Sequence, residues 1–348
     1  MFDHLIGNAP IKNYLISLLD TQEVPHALLF AGPSGIGKSQ FAQQFALALI
    51  QGGGASVHPD IHEYYPEGKS GLHSMETMRS FCDEVTLAPY KSPWKVFIIH
   101  HAERMQSYSA NALLKTFEEP TPRTVIILVT ESPESLIPTI LSRCRTLPFK
   151  GVSVSELSDW IQNKYSMTPQ DALTVARQAK GSVAYAMQLA ENGESLFEEH
   201  LLPVLIQGRF RTYSELVKTA QSIASEIDAL KTETEESSAD SDLSAAQRAR
   251  LEKSLAGTGT MLYLRQVQKF LEAISGWYRD IVLLKCGGDP EALWHAKCQQ
   301  VLEKNAQQKL PMHLDHVLAA IKEALVSIQR ASPLQSVLET LFLRLKLL

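Results

Sequence analysis

Eight consecutive residues, Gly32-Pro33-Ser34-Gly35-Ile36-Gly37-Lys38-Ser39, carry the most specific chemistry in the chain. They fit GxxxxGK[ST], and they lie between a short apolar run, Ala27-Leu28-Leu29-Phe30, and a helix-like stretch, Gln40–Ile50. Glycines at these positions let successive backbone N–H groups turn inward around phosphate oxygens, and a helix N-terminus adds a favourable dipole. The pattern predicts a phosphate loop for ATP or ADP. Lys38 would reach the β- and γ-phosphates, and the Ser39 hydroxyl would ligate Mg²⁺.

A hydrolytic site of this kind normally adds a carboxylate at the end of a neighbouring strand to hold the magnesium. The candidate strand is Lys95–Ile99, and it runs into His100-His101-Ala102-Glu103. Histidine is a poor ligand for a hard cation that takes oxygen donors, and a neutral ring does not replace a carboxylate's charge. Glu103 has two readings: it approaches the site from past the strand end, or, as the simpler expectation, it faces solvent at a helix start. No Cys or His at ligand spacing completes a zinc site with the His pair. His58, His62 and His73 invite a metal reading, but with one carboxylate nearby in a strand–loop segment, surface and packing roles are expected. In Tyr90-Lys91-Ser92-Pro93-Trp94 the aromatics are expected to form a hydrophobic lead-in to a strand rather than a platform for stacking bases.

The elements that must position these groups follow from apolar runs too short for helices. Ala27–Phe30, Val96–Ile99, Val125–Val129 and Thr146–Phe149 read as strands covered on both faces, alternating with helices, hence a parallel sheet with crossovers. After Phe149 the strands stop. Ser155–Tyr165, Pro169–Ala179 and Ser182–Glu191 read as three short helices bounded by Ser153, Thr168 and Gly181. From Leu196 onward the spacing is helical, as in Leu262–Tyr278 and in Val317, Ile321, Leu325 and Ile328. Lys231–Asp242 is acidic and Ser-rich, and it reads as a solvated loop or frayed helix end. Cys286-Gly287-Gly288-Asp289-Pro290 ends one helix and turns into the next. Neither a solenoid period nor a heptad run is present.

Composition narrows the classes. The 348 residues suit two or three domains, and 45% apolar content supplies ample core. A net charge of −5 excludes nucleic-acid binding through bulk positive charge. Cys82, Cys144, Cys286 and Cys298 form no CxxC pair, so neither a disulfide framework nor a four-cysteine zinc site is expected. The opening MFDHLIGNAP lacks a basic-then-apolar leader pattern, and no apolar run reaches about 18 residues. A cytoplasmic protein with no membrane partner is the expectation.

Three further segments carry a family resemblance. Phe2 through Gly7 with Pro25–Pro33, then Asn111-Ala112-Leu113-Leu114-Lys115-Thr116-Phe117-Glu118-Glu119-Pro120, then Leu141-Ser142-Arg143-Cys144-Arg145, resemble in this order the AAA+ subunits of the bacterial DNA polymerase III clamp loader. The resemblance is strong over residues 1–150 and fair to about 195. It implies a P-loop AAA+ domain with a parallel sheet (1–150), a small helical lid (151–195) and an all-α collar for ring assembly (196–348). It also implies work in DNA replication: loading the sliding clamp onto primed DNA, in complex with gamma/tau and delta subunits. DNA and clamp would be met through the assembled ring.

Departures from the family pattern decide which kind of subunit it resembles. The motor subunits carry an acidic pair where this chain has His100-His101. The lid's nucleotide-sensing arginine, expected in Gly-Ser-x-Arg, is Ala184 in Gly181-Ser182-Val183-Ala184. Thr130 matches the polar sensor at a strand end. The four-cysteine zinc module of many relatives is replaced by Gln51-Gly52-Gly53-Gly54, so zinc is not expected. The Ser-Arg-Cys signature is intact, and in the family its arginine points at a neighbour's ATP. The combination is similar to the delta-prime branch, and it implies that Arg143 acts in trans while the chain's own site hydrolyses ATP poorly. On the residues alone, the alternative for Arg143 is a local ion pair or helix C-cap, as expected of Arg123 and Arg145, and Cys144 reads as a packing residue. The competing reading is an independently active ATPase of the gamma/tau motor type. A nucleoside kinase would need a substrate-base carboxylate and a mobile basic lid, and neither is evident.

Overall fold

The computed structural model describes residues 2, 4–50, 58–67, 71–118, 121–192, 196–236, 245–307 and 313–348. Gln51–Gly54 lies outside them, as do Glu119, Pro120, the side chains of 107–112, and the acidic segment beyond residue 236. The chain divides into two compact units: Met1–Glu191 with Asp240–Thr258, and Asn192–Ala239 with Gly259–Leu348.

In the first unit the order is α1 (Ala9–Thr21), β1 (Ala27–Ala31), α2 (Lys38–Leu49), β2 (Ile61–Tyr64), α3 (Met75–Val85), β3 (Lys95–Ile99), α4 (Ser107–Glu118), β4 (Thr124–Thr130), α5 (Pro138–Leu141) and β5 (Arg145–Pro148). The strands form one five-stranded sheet ordered β2-β3-β4-β1-β5, with every pairing parallel. Leu29 stands opposite Leu128 on one side and Thr146 on the other, and Phe97 stands opposite Ile126. Because side chains alternate along a strand, consecutive apolar residues feed two cores. Leu28, Phe30, Ile98, Ile127 and Val129 pack against Phe41 and Phe45 of α2. Leu29, Phe97, Ile99 and Leu128 face Phe81 of α3 and Phe117 of α4 on the other side. Every residue of β1, β3 and β4 is buried, as apolar runs covered on both faces require.

β2 is different in kind. It is an edge strand of sequence IHEY, only partly buried, and its polar residues give no apolar run. Its pairing with β3 sets Glu63 opposite Ile98 and Tyr64 opposite Ile99, one residue short of His100.

Three helices follow: α6 (Val154–Tyr165), α7 (Pro169–Ala179) and α8 (Val183–Asn192). Ser153 and Thr168 cap the first two by accepting N–H bonds from Glu156 and Asp171, and Pro169 fills a first-turn position where no N–H is needed. Leu157, Ile161, Ala172, Val175 and Ala186 make their small core. Gly181 turns into α8 with φ +81°, and Val152 N–H donates to its carbonyl. A Cβ there would sit 2.9 Å from both the Gly151 Cα and the Val152 oxygen, so only glycine fits.

The second unit is helical: α9 (Leu202–Gln207), α10 (Tyr213–Glu236), the C-terminal part of α11 (Ala245–Lys285), α12 (Gln299–Gln307), α13 (Leu314–Gln329) and α14 (Leu334–Arg344). Trp277, Ile274 and Phe270 of α11 share a core with Leu216 and Ile223 of α10, Val317 of α13 and Phe342 of α14. Gly276 lets the Trp294 segment lie against α11, since a Cβ would come within 2.2 Å of that ring. The buried Asp280 carboxylate fixes the same segment by accepting the N–H groups of Trp294 and His295. Lys231–Glu236, the start of the acidic segment, belongs to α10.

Candidate functional site

The glycine-rich turn runs from the end of β1 to the first turn of α2. Gly35 and Gly37 take φ +73° and +93°, which open the loop so that its amides face inward. Gly32 is required by crowding, for a Cβ would lie 2.3 Å from the Phe149 oxygen. Ile36 is buried in the α2 core and anchors the loop's underside, while Pro33 is exposed and Ser34 half-buried. Lys38 is 6% exposed, and its ammonium donates to the carbonyl oxygens of Gly32 (2.7 Å) and Pro33 (2.6 Å). From the lid, the Ala184 N–H donates to the Gly35 oxygen at 2.9 Å. At the position where a sensing arginine would stand, the chain therefore uses a backbone amide, and it uses it on the loop itself.

Ser39 meets His100. Its hydroxyl lies 3.1 Å from His100 Nδ1, and His100 Nε2 lies 2.9 Å from Glu63 Oε2. Glu63 also accepts from Tyr65 Oη (2.6 Å) and Gln43 Nε2 (2.9 Å). Burial disfavours the Glu63 charge, but the hydrogen bonds from His100, Tyr65 and Gln43 outweigh it and bring the carboxyl down to about 2. A carboxylate at Glu63 makes His100 Nε2 the donor and leaves Nδ1 to accept the Ser39 hydroxyl proton. Tyr65 stacks on the His100 ring with centroids 4.2 Å apart and planes 5° from parallel. The backbone is held as well: His100 N–H donates to the Tyr64 oxygen, and His73 Nε2–H donates to the His100 oxygen at 2.7 Å. His73 is buried, and burial pushes it down to about 4, so it stays neutral.

The sequence indicates the His pair, and the structure separates its members. His100 turns to the phosphate loop, while His101, at φ +50°, turns away and lies 3.3 Å from Glu103. The simpler expectation for Glu103, a solvent-facing helix start, is wrong. Its carboxylate is largely buried and accepts from Thr130 Oγ1 at 2.7 Å, because Thr130, fully buried at the end of β4, needs an acceptor there. Burial opposes the Glu103 charge, and bonds from His101 and Thr130 still hold its carboxyl below the usual range. Thr130 is next to the loop through its own carbonyl, which accepts the Gly32 N–H.

His58, His62 and His73 do not converge. His58 lies beside Asp60, His62 pairs with Glu84 (3.0 Å) and stacks on Phe97, and His73 serves His100. The lead-in reading of Tyr90 is also corrected: Trp94 joins the α2 core, but Tyr90 is 78% exposed. Its loop is held instead by Asp60, whose buried carboxylate accepts the N–H groups of Tyr90, Lys91 and Ser92.

Arg143 sits just past α5. One guanidinium nitrogen donates to the Thr139 oxygen (2.9 Å) and the other pairs with Glu118 at 2.6 Å, both at the surface. Burial pushes the neighbouring Cys144 thiol up to about 12, which fits a packing residue and not a nucleophile. Glu63, Tyr65 and Gln43 are the site residues that motif reading misses. The available signal is a carboxylate in a polar edge strand that precedes the His100 strand.

A glycine-rich phosphate-loop motif between β1 and α2, in a parallel sheet with β4 between β1 and β3 and three helices following β5 in the chain, defines a phosphate-loop α/β domain. The family described as DNA polymerase III, delta subunit, matches residues 7–153. The DNA polymerase III subunit delta' of Bacillus subtilis is 31% identical over 53% of this chain and 59% of its own length. The DNA polymerase III subunit tau of Escherichia coli is 28% identical over 55% of this chain and 32% of its own. A DNA polymerase III gamma subunit-related protein of Thermotoga maritima superposes with TM-score 0.44 at 16% identity, covering 91% of this chain and 98% of that one. Over 53% to 55% of its length the chain is thus similar to the delta' and tau subunits of DNA polymerase III. The matched regions span less than two thirds of the length of those sequence relatives. No helix among the described residues is long and apolar enough to cross a membrane.

Proposed function

We propose that this chain is a non-motor subunit of the DNA polymerase III clamp loader. It assembles with gamma/tau and delta subunits in the cytoplasm and helps load the sliding clamp onto primed DNA. It takes ATP or ADP at Gly32–Ser39, hydrolyses it poorly, and supplies Arg143 to the ATP of a neighbouring subunit. The observation that carries this reading is His100, an imidazole against Ser39 where hydrolysis calls for a carboxylate. The fixed contacts around it support a subunit that holds its shape while others turn over.

Arg143 is suited to the role because a guanidinium is planar and permanently charged and can neutralise charge developing on γ-phosphoryl oxygens. Its partner Glu118 is at the surface, so the pair is weak and yields readily to a phosphate. The test is the DNA- and clamp-stimulated ATPase of the reconstituted loader with Arg143→Ala in this chain and assembly followed by gel filtration. A finger supplied in trans is worth about 10³–10⁵ in rate in GTPases, so a loss of at least about tenfold with assembly intact is expected. An unchanged rate would overturn the trans role. Mg²⁺-dependent turnover by the isolated chain, abolished by Lys38→Ala, would favour a motor subunit instead.

A further inference from the structure

Magnesium accompanies nucleotide in most phosphate-loop proteins, yet the donor set around Ser39 does not fit it. Mg²⁺ takes near-octahedral oxygen ligands and gives up its own waters reluctantly, so a protein attracts it mainly with carboxylate charge. At this site the protein offers one neutral hydroxyl, Ser39, already hydrogen-bonded to His100 Nδ1. The nearest carboxylate on that side, Glu63, is beyond the imidazole ring and is engaged by Tyr65, Gln43 and His100. Glu103, the other acid near the strand ends, is engaged by Thr130 and His101. The ring cannot swing aside to make room. It is stacked on Tyr65, bonded at both nitrogens, and held by the backbone through Tyr64 and His73.

From this geometry we infer that the phosphate loop binds the phosphate chain of a nucleoside di- or triphosphate without Mg²⁺, the fixed His100 ring occupying the position through which a carboxylate would recruit the ion. The inference rests on the reading that Gly32–Ser39 takes nucleotide, and it adds what that site does not require. The groups that remain for the phosphates are the loop amides, the N-terminal dipole of α2 and the Lys38 ammonium, none of which needs a metal. Lys38 would exchange its two carbonyl acceptors for phosphate oxygens.

The experiment is calorimetric titration of the full chain with ADP and with ATP, in excess Mg²⁺ and in EDTA. For the wild type, affinities within about threefold of each other in the two buffers are expected. His100→Asp restores a carboxylate, and it should bind at least about tenfold more tightly in Mg²⁺ than in EDTA. His100→Asn, of similar size but uncharged, should remain indifferent to the metal. The wild-type comparison needs no variant, so it decides the matter even if His100→Asp fails to fold. Wild-type binding at least about tenfold tighter in Mg²⁺ would overturn the inference and leave nucleotide binding standing. Metal indifference in His100→Asp would show that His100 is not the determinant. No binding in either buffer would overturn the nucleotide reading itself, and this inference with it.

Discussion

Replacing Glu63 by glutamine removes one negative charge and keeps the side chain's length. In the fold the Glu63 carboxyl sits at about 2 against an ordinary 4.5, and the side chain is 22% exposed. A difference of that size is worth about 3 kcal/mol at neutral pH, and partial exposure trims it to about 2–3 kcal/mol. Because the folded value is the lower one, the contribution is full above pH 4.5 and is lost as pH falls from there through 2. Glu63→Gln should therefore destabilise the sheet unit strongly at pH 7 and progressively less in acid. Amide exchange in β3 and β4 reads this unit directly, since those strands open only when it does. At pH 7, exchange about 30- to 160-fold faster than in the wild type is expected. A loss under about 0.5 kcal/mol would mean that the three donors do not hold the charge. A loss that stays constant with falling pH would refute the electrostatic account and leave only packing.

Two further perturbations test the framework around the site. Asp60→Asn withdraws the charged acceptor from the amides of Tyr90, Lys91 and Ser92; urea unfolding should show a loss of about 2–4 kcal/mol, and the exposed Tyr90 loop should become the first site of proteolytic nicking. His73→Gln keeps a donor for the His100 oxygen and removes a buried imidazole held at about 4 instead of 6.5. A neutral buried histidine gives stability that is full above pH 6.5 and is lost as pH falls towards 4, about 3 kcal/mol in total. The variant should therefore show a shallower decline in that window, measured as urea midpoint against pH, with the remainder set by groups such as His62, which burial also lowers.

The sequence discloses what is local. The phosphate loop is a run of eight residues with fixed positions, and β1, β3 and β4 announce themselves as apolar because both faces of a parallel sheet are covered. The lid helices are delimited by Ser153 and Thr168, whose cap bonds span three residues. What stays hidden is contact between distant residues. Ser39 and His100 are 61 residues apart and Glu63 and His100 are 37 apart; they meet only because β2 pairs with β3 in a register that no apolar pattern in IHEY reveals. Glu103 is hidden for the same reason: its partner, Thr130, arrives from a strand 27 residues on. The aromatic type of Tyr90 points to burial, yet the residue is exposed and the loop's backbone is held by the Asp60 carboxylate.

For the non-motor role proposed above, the same contacts explain how a phosphate-loop fold would serve as a fixed part. In a working phosphate-loop engine the serine, the sensor and the lid wait for phosphate and metal, and their rearrangement transmits hydrolysis. Here each has a partner within the chain: Ser39 has His100, Thr130 has Glu103, and the lid's Ala184 amide has Gly35. A ligand changes a conformational balance only through contacts it makes differently in two states. With these groups committed in one arrangement, a phosphate chain would meet the loop amides, and Lys38 only as it exchanges its bonds to the Gly32 and Pro33 oxygens. Arg143 differs in kind. Its bond to Glu118 is at the surface and yields at little cost, as the proposed contact with a neighbour's ATP would require.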